Sequence, residues 1–340
     1  MNPPKITSIE LGRVIAILAI VAMHCQMFLT YWQYDNTPWF GYVFNQATRF
    51  AVPLFFLISG YLIQPKLTSQ PMVTLWHYLA PLLKVYIIWS IICLAMPFNL
   101  QVVAEQGYLA EREGYWQFLA DTPLNSVLEG GLVHLWFIPA LMCAALLTGL
   151  LVRFNKLSLL LPLAVLLYVY GVLAGSYVLL TELWAPIFTR NGPFFSTLLF
   201  ALGFTIRQHN YQVSSTQAVI IALFGMSAHF IEAWWLSNHG QVFNANDYLF
   251  GTVFWGTGCF LWLLSKPHLG QSKWVASLAK WVLPIYVAHL PVIILMMNLA
   301  GKLELTDLSK DITIFGGTLI GTLLLVAALA RTPLYRWLFR

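Results

Sequence analysis

Charge is what this chain has least of. Only 9% of its 340 residues are Asp, Glu, Lys or Arg, while 59% are hydrophobic. An ordinary soluble domain carries about 25% charged residues. So few charges cannot wet the surface of a soluble fold of this length. The same numbers exclude disorder, which needs low hydrophobicity and high net charge. Cysteine is scarce as well. The four, Cys25, Cys93, Cys143 and Cys259, all lie inside apolar runs. That argues against a disulfide framework and leaves no Cys/His metal spacing, so no metal site is expected. Short alternating strands are missing too. The apolar runs continue for about 20 residues instead of alternating over about 10, which argues against a β-barrel.

What remains is a polytopic membrane protein, all-α, with a mean hydropathy of +0.73. Ten apolar runs of spanning length are expected at 12–32, 41–63, 74–96, 132–152, 158–180, 193–208, 216–236, 247–265, 278–298 and 312–330. The first is too long for a removable signal peptide and lacks a small-residue cleavage site, so it is read as a retained helix. With the amino terminus inside, ten basic residues fall on the cytoplasmic side: Lys5, Lys66, Arg153, Lys156, Arg207, Lys266, Lys273, Arg331, Arg336 and Arg340. Only Arg112, Arg190, Lys302 and Lys310 fall outside. That is the bias of the positive-inside rule, and it puts both termini in the cytoplasm. Topology then explains the net charge of +5, and no nucleic acid partner is needed. The chain is read as a single membrane domain over 1–340, without linker or repeat. Its longest loop, 97–131, is extracytoplasmic and carries Tyr108, Tyr115 and Trp116 among acids. It is read either as a lid or as a plain solvated loop.

Titratable side chains at bilayer depth cost about 2.5–3.5 kcal/mol each on insertion scales and mark functional candidates. Here they are His24, Arg49, Arg13, Lys84, Glu232 and His289. Arg13 and His24 stand eleven residues apart. At about 100° per residue both face the same way, with a rise of about 16 Å. One stripe of the first helix thus holds a cation near the cytoplasmic surface and an imidazole deep in the bundle. Arg49 enters the second span at a matching depth and is expected to meet His24. Histidine accepts and releases protons near neutral pH, and a basic group suits a phosphorylated donor. Structural alternatives exist for each. His24 would be a buried hydrogen-bonded imidazole, Arg13 an interfacial anchor paired with Glu10, and Arg49 an ion pair with Asp35 or Glu232. Cys25, about 100° from His24, is read as packing.

Six segments then stand in order. They are Arg13-VIAILAIVAM-His24 with Glu10 ahead of it, Arg49-FAVPLFFLISGYLI, Lys84-VYIIWS, His134-LWFIPAL, Arg190-Asn191-Gly192-Pro193-Phe194-Phe195, and Ile285-Tyr286-Val287-Ala288-His289-Leu290-Pro291. Together they resemble the acyltransferase-3 family of integral membrane acyltransferases, and within it the bacterial group that O-acetylates envelope or exported polysaccharides. Glu10 stands where many members have Asp, and the segment after Tyr61 is poorer in Arg than in many relatives.

The resemblance implies an O-acetyltransferase of the bacterial inner membrane. Its donor would be cytoplasmic acetyl-CoA, a substrate, with no tightly bound cofactor. Its acceptor would be a sugar hydroxyl of a polysaccharide or lipid-linked saccharide on the periplasmic side. His24 would act as general base and Arg49 would stabilise the oxyanion. Arg13, Lys84, Ser59 and Tyr61 would meet the acyl-CoA, with Ser59 and Tyr61 also placed to help the oxyanion. His134, Trp136, Arg190, Asn191, Glu232 and His289 would meet the acceptor. Membrane lipid, a second copy of the chain and polysaccharide assembly proteins are the other expected partners. The rival reading is a transporter or flippase for a lipid-linked saccharide. The chain shows neither an inverted repeat nor paired Gly/Pro-broken helices to favour it.

Overall fold

A computed structural model describes residues 6–340, so Lys5 of the charge count lies outside the described residues. Helices dominate, and no strand occurs among the described residues. Ten apolar helices can be numbered in chain order: α1 Thr7–His24, α2 Ala51–Ser69, α3 Pro71–Ala95, α4 Phe137–Arg153, α5 Leu160–Leu173, α6 Pro193–Gln208, α7 Ser215–Ser237, α8 Phe250–Ser265, α9 Val282–Lys302 and α10 Asp307–Leu329. Each corresponds to one expected run. Among the described residues, seven spans are long and apolar enough to cross a bilayer: those containing α1, α2, α3, α4, α7, α9 and α10. The other three, α5, α6 and α8, are shorter. The chain is a multi-pass helical membrane protein.

Two expected boundaries are corrected. The first span was expected to run to 32, but α1 stops at His24. Gln26, Phe28 and Trp32 take left-handed backbone conformations, which no helix can propagate through. The amide of Phe28 is given instead to Asp311 Oδ2 at 2.7 Å. The second span is interrupted: a short helix, Trp39–Ala47, is followed by a turn at 48–50 before α2 begins. Arg49 sits in that turn. The 97–131 segment is not plain loop either. It folds into three short helices, Leu100–Gln106, Tyr108–Asp121 and Pro123–Glu129.

The residues cluster into two compact units. The first comprises Met1–Ala19, Gln46–Ala80 and Ala140–Val282. In it α2 and α6 cross at two glycines. A Cβ on Gly60 would strike the carbonyl of Phe200, and one on Gly203 would strike the carbonyl of Leu57. Without side chains there, the backbones lie against each other, as small residues permit between membrane helices. The start of α8 is fixed chemically. Glu232 on α7 accepts the Gly251 amide at 2.8 Å, supplying an anion to a helix N-terminus. Gly251 has no room for a Cβ, which would meet the backbone nitrogen of His229.

The second unit comprises Ile20–Asn45, Pro81–Pro139 and Leu283–Arg340. Asp311 on α10 takes both the Phe28 amide and, at 2.8 Å, the Tyr31 hydroxyl, holding the chain that leaves α1. The 97–131 helices are stapled by polar tips of aromatic side chains: Trp116 Nε1 donates to Leu94 O at 3.1 Å and Tyr115 Oη to Gly131 O at 3.2 Å. Asn298 adds a two-sided clamp, accepting the Leu100 amide and donating to Phe98 O, both at 2.8 Å.

Candidate functional site

Three imidazoles gather in the second unit. His24 is the last residue of α1, His289 lies on α9, and His134 lies in a single 3-10 turn, Val133–Trp136, ahead of α4. The rings of His24 and His289 have centroids 5.0 Å apart, and those of His134 and His289 stand edge to face at 5.2 Å. His289 and His134 are fully buried, while His24 keeps intermediate exposure.

Carbonyl oxygens accept and never donate, so they fix which nitrogen of each neutral ring carries its proton. His289 Nδ1 lies 2.6 Å from Tyr286 O and must carry a proton. A neutral His289 then has its lone pair on Nε2. That atom meets His24 Nδ1 at 3.1 Å. His24 Nδ1 also lies 3.0 Å from Ile20 O, so it too carries a proton, shared between the two acceptors. The basic lone pair of neutral His24 is therefore on Nε2. His134 Nε2 donates to Val287 O at 3.1 Å, which leaves its own lone pair on Nδ1.

The sequence explains why the Val287 carbonyl is available. In an α-helix the amide of residue 291 would bond to the carbonyl of residue 287. Residue 291 is proline and has no N–H, so Val287 O is left open inside α9. His134 fills that vacancy. Tyr286 closes the pair from the other side, its hydroxyl donating to His134 O. The Tyr-x-x-His-x-Pro spacing and the His-Leu-Trp-Phe segment are thus two halves of one hydrogen-bonded joint.

The first unit holds a second group. Arg49 Nη1 and Arg190 Nη1 each lie 2.9 Å from an oxygen of Asp247, and Arg49 Nη2 donates to Asn244 O at 3.2 Å. Burial pushes the Asp247 carboxyl up, but Arg190 and then Arg49 outweigh it and hold it below the ordinary aspartate range. The structural alternative for Arg49 named Asp35 or Glu232 as its ion-pair partner; the carboxylate it pairs with is Asp247. Glu232 is occupied elsewhere, accepting Tyr177 Oη at 3.0 Å besides its cap to Gly251. Asn191 is buried in the turn ahead of α6, where Gly192 has φ +65° and Pro193 opens the helix.

The residues expected at the donor are divided. Arg13, Ser59 and Tyr61 lie in the first unit. Glu10 stands one turn before Arg13 on α1, and Tyr78 is hydrogen-bonded to Ser59. Tyr61 accepts Arg207 Nη1 at 3.0 Å, with the guanidinium also over its ring. Lys84, in the second unit, donates to Arg336 O at 3.0 Å beside the Trp337 ring. Trp136 is half-buried, with its ring near Phe137.

Sequence reasoning missed Arg207 and Tyr78, and it missed His229. That imidazole is buried on α7, between Thr252 Oγ1 and Gln46 Oε1, each at 2.8 Å. Thr252 Oγ1 in turn accepts the Leu249 amide. Both ring nitrogens are satisfied within a closed network, which gives His229 a structural role. The available signal was its position, three residues before Glu232 on one helix face.

A family model described as an acyltransferase domain matches residues 6–331. A serine/alanine racemase of Enterococcus gallinarum is 29% identical over 271 residues, covering 72% of this chain and 35% of that protein. Two amino-acid racemases of Enterococcus faecalis are 27% and 24% identical over 214 and 345 residues. The chain spans 27% of the first of these and 44% of the second, so it spans less than half of each of the three relatives. No solved structure matches the chain.

Proposed function

Since the chain belongs to the family of membrane acyltransferases whose domain covers residues 6–331, we propose that it moves an acetyl group from cytoplasmic acetyl-CoA to a sugar hydroxyl of an envelope or exported polysaccharide, or of its lipid-linked precursor. The observation that carries this reading is the His24–His289 pair, which holds the basic nitrogen of a half-buried imidazole on Nε2. In the proposed reaction His24 Nε2 takes the proton of the acceptor hydroxyl as its oxygen attacks the thioester carbonyl. The tetrahedral intermediate collapses, the C–S bond breaks, and the imidazolium returns the proton to the leaving CoA sulfur. Atoms balance as ester plus free thiol.

Arg13 lies about three turns before His24 on the same continuous helix, about 16 Å away along its axis. That length suits a donor whose phosphates sit at one end and whose thioester sits at the other. Ser59, Tyr78, Tyr61 and Arg207 add donors on the first unit for the same anionic end. The Arg49–Asp247–Arg190 clamp carries one net positive charge, and with Asn191 it suits a polar, anionic saccharide. The bacterial inner membrane is part of this proposal as the family resemblance implies it, and cytoplasmic termini are part of it on the distribution of basic residues. Racemisation is named for the longer relatives.

Purified protein in liposomes should consume radiolabelled acetyl-CoA and place the label on an added saccharide as alkali-labile ester. Movement of a lipid-linked saccharide across the bilayer without any loss of acetyl-CoA would replace this reading with the flippase. Arg13→Ala should raise KM for acetyl-CoA about tenfold, the loss of one charge-assisted phosphate contact. KM for the acceptor should stay put. An unchanged donor KM would make Arg13 an anchor only.

A further inference from the structure

We propose that His289 is the positioning residue for the catalytic base: its Nε2 accepts the Nδ1 proton of His24 and so keeps the basic lone pair of His24 on Nε2, facing the reaction. This rests on His24 being the base and assigns His289 a role other than acceptor contact. Four observations carry it. His289 is fully buried, so it is not a surface for a sugar. Its Nδ1 proton is committed to Tyr286 O at 2.6 Å, which leaves only Nε2 to face His24. The two nitrogens are at hydrogen-bond distance, 3.1 Å. The supporting joint holds α9 in register, because Tyr286, which carries the anchoring carbonyl, and Val287 next to it both bond to His134.

The arrangement does what a buried carboxylate does for an imidazole in hydrolases, with a neutral acceptor in its place. When His24 gains a proton from the acceptor hydroxyl, both its nitrogens become donors. The Nδ1–H···Nε2 bond then becomes charge-assisted, so it strengthens at the moment charge develops. Without His289, Nδ1 keeps its contact with the Ile20 carbonyl of its own helix. That carbonyl holds the proton but belongs to the helix that His24 itself ends, so it does not tie the ring to α9.

The test compares His289→Ala with His289→Gln. A glutamine carbonyl can stand where Nε2 stands, and the protein already uses such a bond between His229 and Gln46. His289→Ala should lower kcat about 100-fold, with KM for acetyl-CoA and acceptor each within about twofold. His289→Gln should recover at least about a tenth of wild-type kcat. Each variant is to be compared at equal, monodisperse membrane-protein levels. A wild-type kcat in His289→Ala, or a glutamine variant no better than alanine, would overturn the proposal. So would a loss confined to acceptor KM, which would return His289 to the acceptor site. If His24→Ala is fully active, the acyl-transfer reading itself fails; if His24→Ala is dead and His289→Ala is normal, only the positioning role fails.

Discussion

The His24→Ala protein should transfer acetyl groups about 10³-fold more slowly than wild type while reaching the membrane at the same level. The loss has one cause. The acceptor hydroxyl must shed its proton as it attacks, and Nε2 of His24 is the lone pair that the carbonyl contacts of Ile20 and Tyr286 keep available. Removing a positioned base raises the barrier by about 4 kcal/mol for a 10³-fold loss. The folding cost is smaller. It is one hydrogen bond to His289 and one shared bond to the first helix, together about 1 kcal/mol. A stability defect of that size cannot imitate the catalytic one. His24→Gln sharpens the distinction, because an amide can hydrogen-bond to His289 yet has no basic nitrogen. It should be as inactive as alanine. The measurement is single-turnover acetyl transfer at saturating donor, and wild-type turnover in either variant would remove the base.

Asp247→Ala should produce the largest loss of stability. Two guanidiniums converge on its carboxylate, and without it they face each other. Stripping one partner from a fully buried pair costs about 3–5 kcal/mol. The side chains here retain 13%, 22% and 34% exposure for Arg49, Arg190 and Asp247, so solvent screening reduces the expected loss to about 2 kcal/mol. Thermal unfolding in detergent reads it directly. Arg49→Ala combined with Asp247→Ala should lose less than the sum of the two, because the second change removes one of the two repelling cations. An unchanged melting point for Asp247→Ala would show that the clamp carries no stability. The acid limb follows from the same carboxyl. Its value is held below that of the unfolded chain, so its contribution is complete above the ordinary aspartate pKa and is lost as pH falls through the lower folded value.

Much of this architecture is readable in advance, for a physical reason. Hydrocarbon solvates no backbone, so lipid-facing crossings take the form of apolar helices, and such runs stand out in a chain with 9% charge. The places that were misread are those where a side chain from elsewhere decides. Nothing near Gln26 and Phe28 announces a stop, since neither is glycine or proline; Asp311, far along the chain, accepts the amide that lets α1 end. His24 was legible as a buried titratable group, but its partner was not, because the choice among His134, His289 and Arg49 depends on which carbonyls α9 leaves open. Pro291 was the visible clue to that vacancy. Arg49 was legible as a cost needing a counter-charge, while Asp247 lay among several acids equally eligible by sequence. His229 hid for the opposite reason, since a fully satisfied imidazole leaves no unbalanced pattern behind.

The joint between His134 and Val287 also sets a clock on biosynthesis. The ribosome delivers His134 long before α9 exists, so a polar ring that ends up sealed in the protein interior must wait through the synthesis of five intervening helices for its carbonyl. Until then the nascent chain carries an unmet donor that hydrocarbon penalises.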